Sequence, residues 1–191
     1  MFDILDSTRA ITMAIDQHLQ GNPAGLTLGA IAKTRIAVQQ QILLLPTIIE
    51  LTIASPGASV YECCRLSAII FSVAVLFPIP NTYDVLQTLA RQLKSAIKVM
   101  SIESAEFRDV DREYWKLLLW IRVLGGIAAL DKPERSWYVA QLVILVENLE
   151  ESTDWGAIEG ILERYLWLDS TCGHSGRELW EEIECSTDPE T

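Results

Sequence analysis

At 191 residues the chain is long enough to bury a substantial core and short enough to be one domain. Its formal net charge of −11 sits wholly in residues 147–191, where 13 acids face only Arg164 and Arg177; residues 1–146 hold 13 acids and 13 bases. An acidic end with no balancing basic stripe repels a phosphate backbone, so direct nucleic-acid binding is not expected.

The opening stretch MFDILDSTRA has acids where a secretory leader would be basic, and no apolar core. A cytoplasmic or nuclear location is therefore expected, with Cys63, Cys64, Cys172 and Cys185 as reduced thiols. Adjacent Cys63 and Cys64 cannot both face one metal comfortably. Cys172-Gly173-His174 lacks a partner pair at zinc-site spacing. No metal is expected, and no cofactor, because there is no Gly-rich phosphate loop and no local Cys-His or Ser-His-Asp signature.

Residues 2–19 read as a weakly periodic amphipathic helix that includes His18, broken by Gly21-Asn22-Pro23-Ala24-Gly25. Residues 28–53 form a long apolar helix that Pro46 should kink or split, with Gln39, Gln40 and Gln41 on its wet side. Ser55-Pro56 reads as an N-cap and first helical position for a helix reaching about Phe77. On it, Glu62 and Arg65 stand three apart and can pair along the helix, or bond a ligand at the mouth of an apolar cavity. The apolar run Leu66 to Pro80 is shorter than the roughly 20 residues of a spanning helix, and reads as a buried core helix with no membrane span.

Asn81-Thr82 should cap a helix from Tyr83 to about Met100. Leu86, Leu89, Leu93 and Ile97 lie on one face and Arg91, Lys94 and Lys98 on a solvated one. Residues 101–112 are polar and read as a flexible connection. Residues 115–142, WKLLLWIRVLGGIAALDKPERSWYVAQL, organise the rest: two helices joined at Asp131-Lys132-Pro133. Trp115, Leu118, Arg122, Gly125 and Ala129 share one face of the first. A buried charge is costly unless paired or hydrogen-bonded, so Arg122 needs an acceptor from the protein or from a ligand. Gly125 and Gly126 thin the helix beside it, admitting another helix, an aromatic ring or a ligand. An acid-rich turn at 147–153 then leads to a helix over 154–168 with Trp155, Ile158, Ile161, Leu162 and Tyr165 inward. A loop at 173–176 and a short last helix over 176–184 carrying Trp180 close the chain. The fold class is all-α: a single-domain bundle of about seven or eight helices over 1–185 with an internal apolar cavity, then an acidic disordered tail at 186–191.

Three pieces, in this order, resemble one family. They are Cys64-Arg65-Leu66-Ser67-Ala68 leading to Phe77-Pro78-Ile79-Pro80; Leu118 to Leu130 with Glu134-Arg135-Ser136-Trp137-Tyr138-Val139; and Trp155 to Ser170 followed by Gly176-Arg177-Glu178-Leu179-Trp180-Glu181-Glu182. Together they are similar to the C-terminal, non-DNA-binding regulatory domain of fungal-specific transcription factors, over about residues 55–185. In that family the domain usually follows a binuclear zinc cluster. This chain has no six-cysteine cluster or basic linker and begins with its own methionine, so a free-standing copy is expected and the DNA-reading function does not carry over. The resemblance implies a domain that senses small molecules or partners; the shared residues also read as a helix-packing framework.

Two functions follow. The first is a small-molecule-binding domain of fungal secondary metabolism, in its extreme form a cofactor-independent cyclase or isomerase, pericyclic in type, that holds an apolar terpenoid or polyketide precursor in a reactive fold. Arg122 and Arg65 would then polarise a carbonyl or hold a carboxylate, and Tyr61, Trp120, Gly125, Gly126 and Tyr138 would line the pocket. The alternative is a truncated transcriptional regulator, a homodimer or a partner of other regulators, acting by protein contacts without touching DNA.

Overall fold

The computed structural model describes residues 8–15, 27–51, 57–76, 83–104, 112–147 and 154–187. Among them every regular element is a helix, and the expected all-α bundle is what forms. The helices are α1 (8–15), α2 (Leu28–Leu43), α3 (Ile48–Leu51), α4 (Ala58–Phe71, continued by a π turn over Ser72–Leu76), α5 (Tyr83–Ser104), α6 (Arg112–Ala128), α7 (Arg135–Val146), α8 (Trp155–Leu162) and α9 (Asp169–Thr187). His18, Ser55, Pro56, Asn81, Thr82, the Phe77 to Pro80 motif and most of the expected acid-rich turn and tail lie outside the described residues.

Local chemistry sets most of the ends. The Thr27 hydroxyl accepts the Ala30 N–H at 3.2 Å and starts α2, and the Asp154 carboxylate accepts the Ala157 N–H at 3.0 Å and starts α8. The split expected at Pro46 separates α2 from α3. At the start of α4 the cap is Gly57, with no side-chain bond. The α6–α7 turn carries Asp131 in the left-handed region at φ 57°, which aspartate tolerates better than most residues.

The core is organised by α4 and α6. Helix α4 packs on α2, α3, α5 and α6, and α6 packs on α4, α5, α7, α8 and α9. Cys63, Cys64, Leu66, Ala68, Ile70 and Phe71 are the buried face of α4. By length and composition the stretch Ala58–Leu76 is apolar enough to cross a bilayer, but 67% of it is buried inside the bundle, as befits a core helix. Arg35 of α2 donates to the Leu76 carbonyl and ties down the π turn. Tryptophans dominate the far end: Trp120, Trp167 and Trp180 are buried, and the Trp155 ring lies 6.2 Å from both Trp167 and Trp180.

Helix α5 continues to Ser104 and α6 starts at Arg112, both inside the connection expected at 101–112, and α9 reaches Thr187, inside the tail expected at 186–191. Two further boundaries are wrong for one reason. The helix expected over 154–168 stops at Leu162, and the loop expected at 173–176 is the middle of α9. Leu166, Trp167 and Leu168 are all buried, whereas three successive residues of a helix would point over about 200° of its circumference. An irregular segment turns all three inward and frees the Leu166 carbonyl to accept the Trp120 indole N–H at 2.9 Å. Gly176 then serves packing rather than chain reversal, and Gly173 leaves room for the Asp169 carboxylate one turn earlier on the same helix. A Cβ on Gly176 would lie 2.7 Å from the rings of both Trp155 and Trp167.

Candidate functional site

Arg122 is buried as its surroundings require, 7% exposed on the inward side of α6. Its Nε has no hydrogen-bond partner. Burial pulls the guanidinium below the usual arginine value, and Tyr114 and then Cys63, neither of them a carboxylate, offset part of that. An uncompensated buried cation destabilises the fold, so Arg122→Met is expected to raise the unfolding free energy by about 1–3 kcal/mol, read by urea denaturation.

Arg65 has a different fate. Its Nε and Nη2 form a bidentate pair with Glu62 at 2.8 and 2.7 Å, both side chains mostly buried on α4, so the pairing along the helix is the arrangement adopted. The Glu62 bond raises the Arg65 pKa further. Arg65 and Arg122 share no partner among the described residues. The Tyr61 hydroxyl donates to the Pro46 carbonyl at 2.8 Å, joining α4 to the α2–α3 turn.

The remaining expected pocket residues meet one another or the core. Trp120 is fully buried and stacks on Tyr165 at 5.5 Å. Tyr138 is fully buried, donates to the Ala90 carbonyl at 2.7 Å, and has its phenol pKa pushed up by burial. Its ring fills the space beside Gly125: a Cβ there would sit 2.8 Å from the Tyr138 oxygen. Gly126 is covered by Leu179 of α9, 2.7 Å from where its Cβ would be. Of the occupants left open for the two glycines, an aromatic ring fills one place and another helix the other.

A residue the sequence reading passed over is Arg135. It is buried at the first position of α7, donates to the Gly126 carbonyl at 2.7 Å, and grips Glu182 of α9 at 2.8 Å. One step earlier, buried Glu134 accepts from Arg91 of α5 at 3.0 Å, and Lys94 lies 5.2 Å over the Trp137 ring. The basic face of α5 is therefore bonded across to α7 rather than purely solvated. Proline followed by two adjacent opposite charges at a helix start was the available signal.

Two of the surface hollows are lined by described residues away from Arg122, Arg65, Tyr61, Trp120 and Tyr138. One, of about 250 Å³, lies between α1 and the segment joining α8 to α9, with Arg9, Glu163 and Asp169 on its walls. Near it, the Glu159 carboxyl is held above the usual value, first by burial and then by Asp169. A carboxyl whose folded pKa is raised costs stability at neutral pH, and the cost disappears as pH falls through the folded value toward the unfolded one. Glu159→Gln should thus raise the melting temperature at pH 7, with the gain shrinking toward pH 4.

The other hollow is a groove of about 820 Å³ between α7 and α9. Val139, Ala140, Val143 and Ile144 floor it. Glu178, Glu181 and Glu182 wall it, and Cys185 lies at its end. The cause lies in α7, whose sequence RSWYVAQLVILV is apolar nearly all round. Such a helix is normally enclosed on every side. Here Leu142 and Leu145 face the core while Ala140 and Ile144 stay exposed, Ile144 by 55%.

Among the described residues no three of His, Cys, Asp and Glu come together as a metal would need. No family model, curated protein or solved structure matches the chain.

Proposed function

We propose that this chain is a partner-binding regulatory domain of the kind it resembles in fungal-specific transcription factors, acting through protein contacts and making none to DNA itself. The observation that carries this reading is a contrast. Residues expected to line a ligand pocket are engaged inside the protein, whereas the open apolar surface lies on α7 beside an acidic wall. The charge balance supports the second half, since the C-terminal part has no cationic surface to meet phosphates. Fusing the chain to a heterologous DNA-binding domain and measuring a reporter tests it. The expected result is a several-fold change in expression, with no retardation of duplex DNA by the chain alone at low salt. A silent fusion, or DNA binding by the chain, contradicts the reading.

A small-molecule function has one observation of its own: the unbonded Nε of Arg122 in an apolar setting. A guest with a carbonyl or carboxylate oxygen would satisfy it, as a cofactor-free cyclase or isomerase requires. Incubation with terpenoid and polyketide precursors, followed by mass spectrometry, should then give a new product with wild type and none with Arg122→Met. Equal product from both, or none from wild type, removes this reading.

A further inference from the structure

We infer that the α7–α9 groove is the docking site for an amphipathic helix of a partner protein, one that lays an apolar stripe on α7 and turns a Lys/Arg-rich flank toward α9. This rests on the partner-binding reading above and adds the chemistry of the partner.

Length comes first. The floor runs from Val139 to Ile144 and the wall from Glu178 to Ser186, so the wall follows eight residue steps, about 12 Å of helix rise. That accommodates slightly more than two turns of a guest helix, enough for anchors at i, i+3 or i+4, and i+7. The floor offers the branched side chains of Val139, Val143 and Ile144, the small Ala140 and no charge.

Charge then selects the guest. Glu178 and Glu181 stand three apart on α9, facing the groove, Glu181 exposed and Glu178 about half so. With them the whole stretch 147–191 carries 13 acids against two arginines. A basic flank is attracted along the full wall, and an acidic one is repelled. The same field works against nucleic acid and anionic membranes. It also works against a second copy of this chain meeting the groove through its own acidic α9. Glu182 is committed to Arg135 and Glu178 lies 3.3 Å from His174 Nε2 one turn earlier on α9, so Glu181 is the group left free to read the guest and Glu178 joins it when His174 is neutral.

The test uses the full chain and fluorescein-labelled helical peptides of 18 residues with one leucine stripe and lysine, glutamate or scrambled flanks. Fluorescence anisotropy reads affinity, and alkylation of Cys185 reads occupancy, because Cys63, Cys64 and Cys172 are buried. The lysine-flanked peptide should bind at least tenfold more tightly than the glutamate-flanked one, weaken with salt, and slow Cys185 alkylation. Ile144→Glu, at an exposed position that leaves folding intact by circular dichroism, should abolish binding. The double variant Glu178→Lys, Glu181→Lys should reverse the flank preference. Equal affinity for both flanks, no binding of either, or undiminished binding by the Ile144 variant overturns the proposal. So does sedimentation showing a dimer that Ile144→Glu dissociates, which would give the groove to a second copy. If no peptide binds but the fused chain still alters the reporter, only this inference falls. If peptides bind and the reporter stays silent, the regulatory reading falls and the groove stands.

Discussion

Tyr138→Ala is expected to cost about 3–5 kcal/mol, a large share of the stability of a domain this size. The ring is fully buried, occupies the notch at Gly125, and its hydroxyl bonds Ala90, so one side chain joins α5, α6 and α7. Removing it leaves a void that three packed helices cannot close. Tyr138→Phe keeps the ring and should lose only about 1 kcal/mol, the worth of one buried hydrogen bond. The notch supplies the control. Gly125→Ala alone should destabilise by about 1–3 kcal/mol through overpacking, despite alanine's better helix propensity. Combined with Tyr138→Ala it should cost less than the sum of the two, because the ring it collides with is gone. Urea denaturation of the four proteins measures that coupling, and additive losses would mean that Gly125 and Tyr138 do not meet.

Arg135→Met has the second-largest expected effect, about 2–3 kcal/mol. The methionine replaces the stem but none of the bonds to Glu182 or the Gly126 carbonyl. The figure lies below that for breaking a fully buried pair because Glu182 remains 46% exposed and can turn to water. Arg135→Lys should recover little of the loss, since an ammonium cannot bond both carboxylate oxygens and a carbonyl in the fork geometry. The loss should fall on the α7–α9 contact first, seen as faster hydrogen exchange in α9 than in α4.

What was readable in advance follows the physics of each signal. Helical periodicity and proline placed most helices, because burial of one face dictates spacing. The inward face of α6 was readable too: Arg122 is where its apolar neighbours require it to be. Glycine was the weak point. Gly173 and Gly176 looked like chain breakers, but inside a continuous helix Gly176 makes room for the Trp155 and Trp167 rings and Gly173 for the Asp169 carboxylate one turn earlier, and nothing local in the sequence distinguishes the two uses. The occupants of the spaces at Gly125 and Gly126 come from α7 and α9, so only tertiary packing decides that Tyr138 and Leu179 fill them. Glu62 and Arg65 could be paired by spacing alone, but the charges after Pro133 mark Arg135 without naming its partner, because Glu182 comes from another helix. The groove had a signal in the all-round apolar run of α7; which flank stays open depends on where α9 lies.

Comparing Arg122→Met with Ile144→Glu in the fused-reporter assay tests the central claim most directly, because one residue belongs to the buried α6 face and the other to the open groove. Docking through α7–α9 predicts that Arg122→Met keeps wild-type reporter activity while Ile144→Glu loses it at equal protein level. Loss with Arg122→Met and full activity with Ile144→Glu would contradict the account and place the function at the buried guanidinium.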